Sequence, residues 1–165
     1  MFKKIFALIS LLIFAGGVVG GAWWFKLKPQ GPRSPQMRVL NLGDRTPIEL
    51  PEKSEEPAIL LFWATWCGPC KIEMNRLKTA VQSGKVPGMQ VYAVSVGENP
   101  DIVEDYVLKN EFPFQFFVDP DKQGTKEFII TGTPTIYHIN QKNEVIWAAT
   151  GIAPDSIQRA EQLFK

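Results

Sequence analysis

The feature that most constrains this chain is a short apolar run, Ala58 to Ala64 (AILLFWA), that leads straight into Thr-Trp-Cys-Gly-Pro-Cys. An uninterrupted apolar run of that length suits a strand buried on both faces. Behind it Cys70, Met74, Leu77 and Val81 recur at helical spacing. A strand feeding a helix that begins near Cys67 sets the first cysteine at the helix N-terminus. Unpaired backbone N–H groups and the macrodipole favour a thiolate there. The thiol pKa falls, and Cys67 becomes the nucleophile. Cys70, one turn further and on the core side, is placed to attack a mixed disulfide and release product. Pro69 costs little in the first turn, where its missing N–H would have had no helical partner.

Cys67 and Cys70 are the only cysteines in 165 residues, so no framework of structural disulfides can exist. Half of a zinc site could use the same spacing. A structural zinc wants four ligands, however, and the chain offers one histidine, His138, and no third cysteine. No metal and no cofactor is therefore expected. His138 lies in the strand after Pro134 and reads as a packed or edge residue, although histidine can titrate near neutral pH. With a formal net charge of +1, nothing suggests a nucleic-acid partner.

From about residue 38 to 165 the pattern is that of one alternating α/β domain. Met89 to Val96 is a second buried strand, Asp101 to Glu111 a helix, Phe114 to Val118 a strand and Lys122 to Ile130 a short helix. Thr135 to Asn140 and Glu144 to Ala149 form a hairpin across Gln-Lys-Asn. Ala153 to Phe164 is the last helix, with Pro154 placed to start it.

The front of the chain differs in kind. After a basic tail (residues 1–4), residues 5–25 are uncharged and mostly apolar, long enough for a bilayer that needs roughly 20 residues. The run overshoots the ~7–15-residue core of a signal peptide and ends in Trp23-Trp24, which favours an uncleaved signal-anchor over a cleaved signal. Residues 26–37 contain three prolines in KPQGPRSPQ and read as a semi-rigid spacer. The expected location is a single-pass anchor in the cytoplasmic membrane with the domain on the periplasmic or outer side.

FWATWCGPC after a strand, Gly132-Thr133-Pro134-Thr135 before the penultimate strand, and Gly151 before the last helix together resemble the thioredoxin family. The resemblance covers nearly all of residues 37–165. It implies a central mixed sheet flanked by helices and a redox-active Cys67–Cys70 disulfide. Trp66, Gly68, Pro69, Thr133 and Pro134 would then form the substrate-binding surface. By the same resemblance Pro134 is a cis-proline facing the disulfide, and Thr133 offers backbone hydrogen bonds to an extended peptide.

Cytoplasmic thioredoxins carry an aspartate six residues before the first cysteine and a lysine on the neighbouring strand. Here those positions are Leu61 and Ala93. Glu73, three residues after Cys70, instead resembles the membrane-anchored, extracytoplasmic reductases of the TlpA and ResA type, which add a helix and strand before the cis-proline. Asp101 to Val118 would supply that insertion. This branch implies reduction of protein disulfides, electrons from a membrane donor of the DsbD or CcdA type, and a place in cytochrome c maturation. Threonine before the cis-proline also occurs in disulfide isomerases, so isomerase or oxidase activity is the alternative. A thiol-based copper or zinc carrier, and a tethered binding domain without catalysis, are others.

At about 100° per residue Glu73 lies about 60° from Cys70, on the flank of the buried face and away from Lys71, Asn75 and Lys78. Two readings follow. A desolvated carboxyl there should have a raised pKa and could exchange protons with the Cys70 thiol as a catalytic group. An ordinary helix glutamate would pair with a nearby Lys or Arg.

Overall fold

The computed structural model describes residues 33–52 and 55–165. The basic tail, the apolar segment 5–25 and the linker through residue 32 lie outside the described residues. In chain order the elements are β1 (Met37–Asn41), β2 (Pro47–Leu50), β3 (Ala58–Trp63), α1 (Gly68–Gln82), β4 (Val91–Val96) and α2 (Pro100–Asn110). They continue with β5 (Gln115–Asp119), α3 (Gln123–Glu127), β6 (Thr135–Ile139), β7 (Val145–Thr150) and α4 (Ser156–Leu163). The strands form one mixed sheet in the order β2-β1-β5-β4-β3-β6-β7. β3, β4 and β5 run parallel, while β1 and β6 are antiparallel to β5 and β3.

β3 is central because it has a strand on each side and apolar residues toward both faces. All six of its residues are buried. Ile59, Leu61 and Trp63 point to one face, where Met74, Leu77 and Ala80 of α1, Val103 of α2 and Ala160 of α4 cover them. Leu60 and Phe62 point to the other, joined by Met37, Val39, Leu50, Phe117 and Phe128. The Phe62 ring lies 5.3 Å from Phe128 and 6.0 Å from Tyr137. Truncating it to alanine would cost about 3–5 kcal/mol.

The helix ends follow local chemistry. Asn99 caps α2 by accepting the Asp101 N–H at 2.9 Å, and Pro100 opens the first turn. The helix and strand expected between Asp101 and Val118 are α2 and β5. Two local expectations need correction. Pro154 does not start the last helix: Asp155 is its N-cap and Ser156 its first residue. The Pro154 carbonyl instead accepts a hydrogen bond from Arg76 at 2.6 Å. The stretch 26–37 read as spacer touches the domain from Arg33 onward. Arg33 forms an isolated antiparallel β-bridge through its backbone with Glu144, the Ser34 N–H reaches the Asn143 carbonyl at 2.8 Å, and Met37 is buried in β1.

Candidate active site

The two cysteines sit where a buried strand becomes a helix. Cys67 is the N-cap of α1, and its Sγ accepts the Cys70 N–H at 3.2 Å, so the sulfur occupies the place of an ordinary capping oxygen. Cys67 and Cys70 are joined as a disulfide. Both cysteines are buried, Cys67 with 5 % of its residue surface exposed and Cys70 with none, so Cys67 lies nearer the surface. Gly68 and Pro69 are exposed in the first turn. Trp66 is 74 % exposed immediately before Cys67.

The second half of the site comes from the start of β6. Phe62 pairs with Thr135, so one register step beyond sets Pro134 opposite Trp63, at the end of the strand that leads to Cys67. The Thr133–Pro134 bond is cis, as the resemblance implies. The Pro134 carbonyl accepts the Gly151 N–H at 2.7 Å, with Gly151 at φ 84°, a conformation open mainly to glycine. The Thr135 hydroxyl donates to the Gly132 carbonyl at 2.7 Å. The loop is therefore held from both sides of Thr133.

Leu61 and Ala93 are register partners on adjacent parallel strands, both fully buried in the cluster that holds the two cysteines. The floor beneath the disulfide is apolar at the two positions where the resemblance led one to look for an ion pair.

Glu73 is completely buried on α1, and it is ion-paired with Arg76 as the second reading expects. One carboxylate oxygen accepts from Arg76 at 2.8 Å, one turn on, and the other accepts the hydroxyl proton of Ser156. Arg76 also donates to the carbonyls of Ala153 and Pro154 at 2.8 and 2.6 Å. These bonds lash α1 to the entry of α4. The hydrogen bonds of the Glu73 carboxylate go to Arg76 and Ser156 and not to either cysteine.

Glu98 escaped the sequence reading. It follows β4 and receives the backbone N–H and hydroxyl of Thr65 and the hydroxyl of Ser95. The one available signal was its position past the carboxyl end of a parallel strand, where open α/β sheets build their sites. His138 is packed, as expected: it is buried against Trp147, ring centroids 4.6 Å apart. Burial, and then the Arg159 charge, lower its pKa to about 4, against an opposing effect of Asp155. A cleft of about 360 Å³ lies beside the cysteine turn between α1 and α2, lined by Trp66, Lys71, Ile102 and Tyr106 among others. Among the described residues no group of three or more His, Cys, Asp or Glu side chains is placed to hold a metal ion.

A disulfide whose first sulfur caps a helix and whose second cysteine is buried, faced by a cis-proline loop at one end of a mixed sheet, defines a thioredoxin-like thiol–disulfide oxidoreductase. The chain belongs to the AhpC/TSA family, whose model matches residues 31–148. It is 29 % identical over 163 residues to sporulation thiol-disulfide oxidoreductase A of Bacillus subtilis, covering 94 % of this chain and 93 % of that protein. It is 30 % identical over 110 residues to thiol-disulfide oxidoreductase ResA of Bacillus subtilis, covering 67 % and 62 %. The crystal structure of StoA from Bacillus subtilis superposes with a TM-score of 0.65 at 22 % identity, over 81 % of this chain and all of that one. A thioredoxin-family thiol:disulfide interchange protein from Chlorobium tepidum TLS superposes with a TM-score of 0.67 at 19 % identity, over 84 % and 99 %. At those identities the superpositions establish the fold.

Proposed function

We propose that the chain reduces disulfides of extracytoplasmic proteins while tethered by residues 5–25. The observation that carries the reading is the asymmetry between Cys67, which caps the helix nearer the surface, and the fully buried Cys70. In the reduced enzyme the Cys67 thiolate attacks one sulfur of a substrate disulfide, and the other substrate sulfur leaves as a thiolate and takes a proton. The Cys70 thiol then loses its proton and attacks the Cys67 sulfur, releasing the second substrate thiol and closing Cys67–Cys70. Two electrons and two protons pass to the substrate. Trp66, Gly68 and Pro69 on one side and Thr133 and Pro134 on the other would seat the substrate chain.

Each turnover leaves the disulfide form, so reduction needs a two-electron donor. Resemblance to the TlpA and ResA type supports a membrane donor of the DsbD or CcdA kind, and oxidised thiols awaiting haem attachment in cytochrome c maturation as substrates. The experiment is to measure the equilibrium of Cys67–Cys70 with glutathione and the reduction of insulin disulfides by the dithiol form. A couple more reducing than glutathione supports reductase action, since each ~30 mV is a tenfold change in equilibrium constant. A couple more oxidising, with scrambled-protein refolding activity, moves the reading to isomerase, which Thr133 before the proline favours.

A further inference from the structure

We propose that Glu98 is a positioning residue that sets the redox poise of the Cys67–Cys70 couple by holding the turn that presents Cys67. The proposal deepens the oxidoreductase reading and rests on it. β3 and β4 run parallel with Trp63 beside Ser95, so their carboxyl ends open on the same edge of the sheet. The turn Gly97-Glu98 folds back over that edge. Gly97 stands at φ 67°, where a side chain would be strained, and its N–H is fixed to the Asp119 carbonyl at 2.9 Å. Glu98 thereby meets Thr65, two residues before the nucleophile.

The grip is specific. One oxygen of Glu98 accepts the Thr65 N–H at 2.9 Å and the Ser95 hydroxyl at 2.6 Å, and the other accepts the Thr65 hydroxyl at 2.6 Å. These bonds take Thr65 by main chain and side chain at once. From Thr65 the chain has one free residue, exposed Trp66, before Cys67, whose own N–H is tied back to the Ala64 carbonyl at 3.1 Å. Among the described residues no other side chain hydrogen-bonds Thr65, so Glu98 is the side chain that orients the turn.

Two consequences for the couple have the same sign. A fixed turn holds Cys67 where its sulfur meets Cys70, and loosening it disfavours ring closure. A carboxylate beside the turn also opposes a thiolate on Cys67. Removing Glu98 relaxes both effects, and both favour the dithiol.

The test uses the full-length chain equilibrated against glutathione buffers, together with the pH profile of Cys67 alkylation by iodoacetamide. Wild type must first exchange with glutathione at all; if it does not, the oxidoreductase reading fails before Glu98 is at issue. Glu98→Ala is expected to shift the equilibrium about tenfold toward the dithiol, about 30 mV for two electrons. Its alkylation midpoint should move to lower pH. Glu98→Gln, which keeps an acceptor and drops the charge, should fall between. Asp44→Asn is the matched control, since Asp44 grips Thr46 through N–H and hydroxyl at 3.0 and 2.7 Å in the loop between β1 and β2. It should leave both redox readouts in place. The proposal is overturned if Glu98→Ala and Glu98→Gln lose stability while equilibrium and alkylation profile overlay wild type, or if Asp44→Asn moves them equally. Should Glu98→Ala fail to fold, Glu98→Gln and Thr65→Val decide by the same readouts.

Discussion

Ser156, the first residue of α4, donates its hydroxyl to the carboxylate of Glu73, which lies within α1 one turn after Cys70. With Arg76 on the other oxygen, the buried acid is a joint between two helices. Glu73→Gln keeps an acceptor for Ser156 and most of the packing but leaves Arg76 without its carboxylate. Arg76 is partly solvated and retains two carbonyl partners, so the expected loss is about 1–3 kcal/mol in denaturant unfolding. Thiol titration should change as well, with the cysteine pKa values falling because a nearby negative charge has gone. Superimposable thiol titrations of mutant and wild type would make Glu73 a helix joint and nothing more.

His138 predicts the acid behaviour. Its folded pKa of about 4 lies below the ordinary value of 6.5, so the native state holds it neutral. The stability tied to that neutrality is fully present above about pH 6.5 and is lost as pH falls toward 4. Over that window the linkage is worth up to about 3 kcal/mol. The Nε2 atom is buried without a hydrogen-bond partner among the described residues. His138→Phe should therefore be near neutral at pH 7 and flatten the fall in stability between pH 6.5 and 4. Thermal unfolding across that range measures it; an unchanged slope would place the acid sensitivity elsewhere.

The cysteines predict an asymmetry. Cys70→Ser leaves the reachable nucleophile and removes the resolving thiol, so covalent complexes with substrates should accumulate through Cys67. Non-reducing electrophoresis followed by mass spectrometry would identify the linked cysteine. Complexes that form only in Cys67→Ser would reverse the roles.

Trp66 separates recognition from chemistry. Its ring is mostly solvent-exposed, so Trp66→Ala should change stability by no more than about 0.5 kcal/mol. Loss of the ring should lower kcat/KM for protein disulfides about tenfold, as for exposed aromatic anchors at interfaces, and leave a small aliphatic disulfide nearly unaffected. Equal losses for both substrates would contradict a docking role.

Local features were legible in the sequence wherever their cause was local. Ala58 to Trp63 announced a doubly buried strand because nothing polar interrupts it, and Cys67 announced a helix cap because the apolar period restarts at Cys70. β1 and β2 were missed because Met37 and Val39 alternate over only three residues, too short a period to read, and the pairing of β1 with β5 is remote in sequence. Glu73 could be set on the flank of α1, but its partner Ser156 lies 83 residues away and no periodicity points to it. Glu98 was invisible for the same reason, since it acts on Thr65 across 33 residues.

Arg33 and Ser34 fasten the incoming chain to Glu144 and Asn143, in the turn that follows β6, whereas Pro134 and the cysteine turn lie at the strand's beginning. Five residues of extended strand span roughly 17 Å, so the point of entry and the sulfur chemistry occupy opposite ends of the sheet. A pull applied at Arg33 would load that far end first and peel the Arg33–Glu144 β-bridge before any strain reached Cys67.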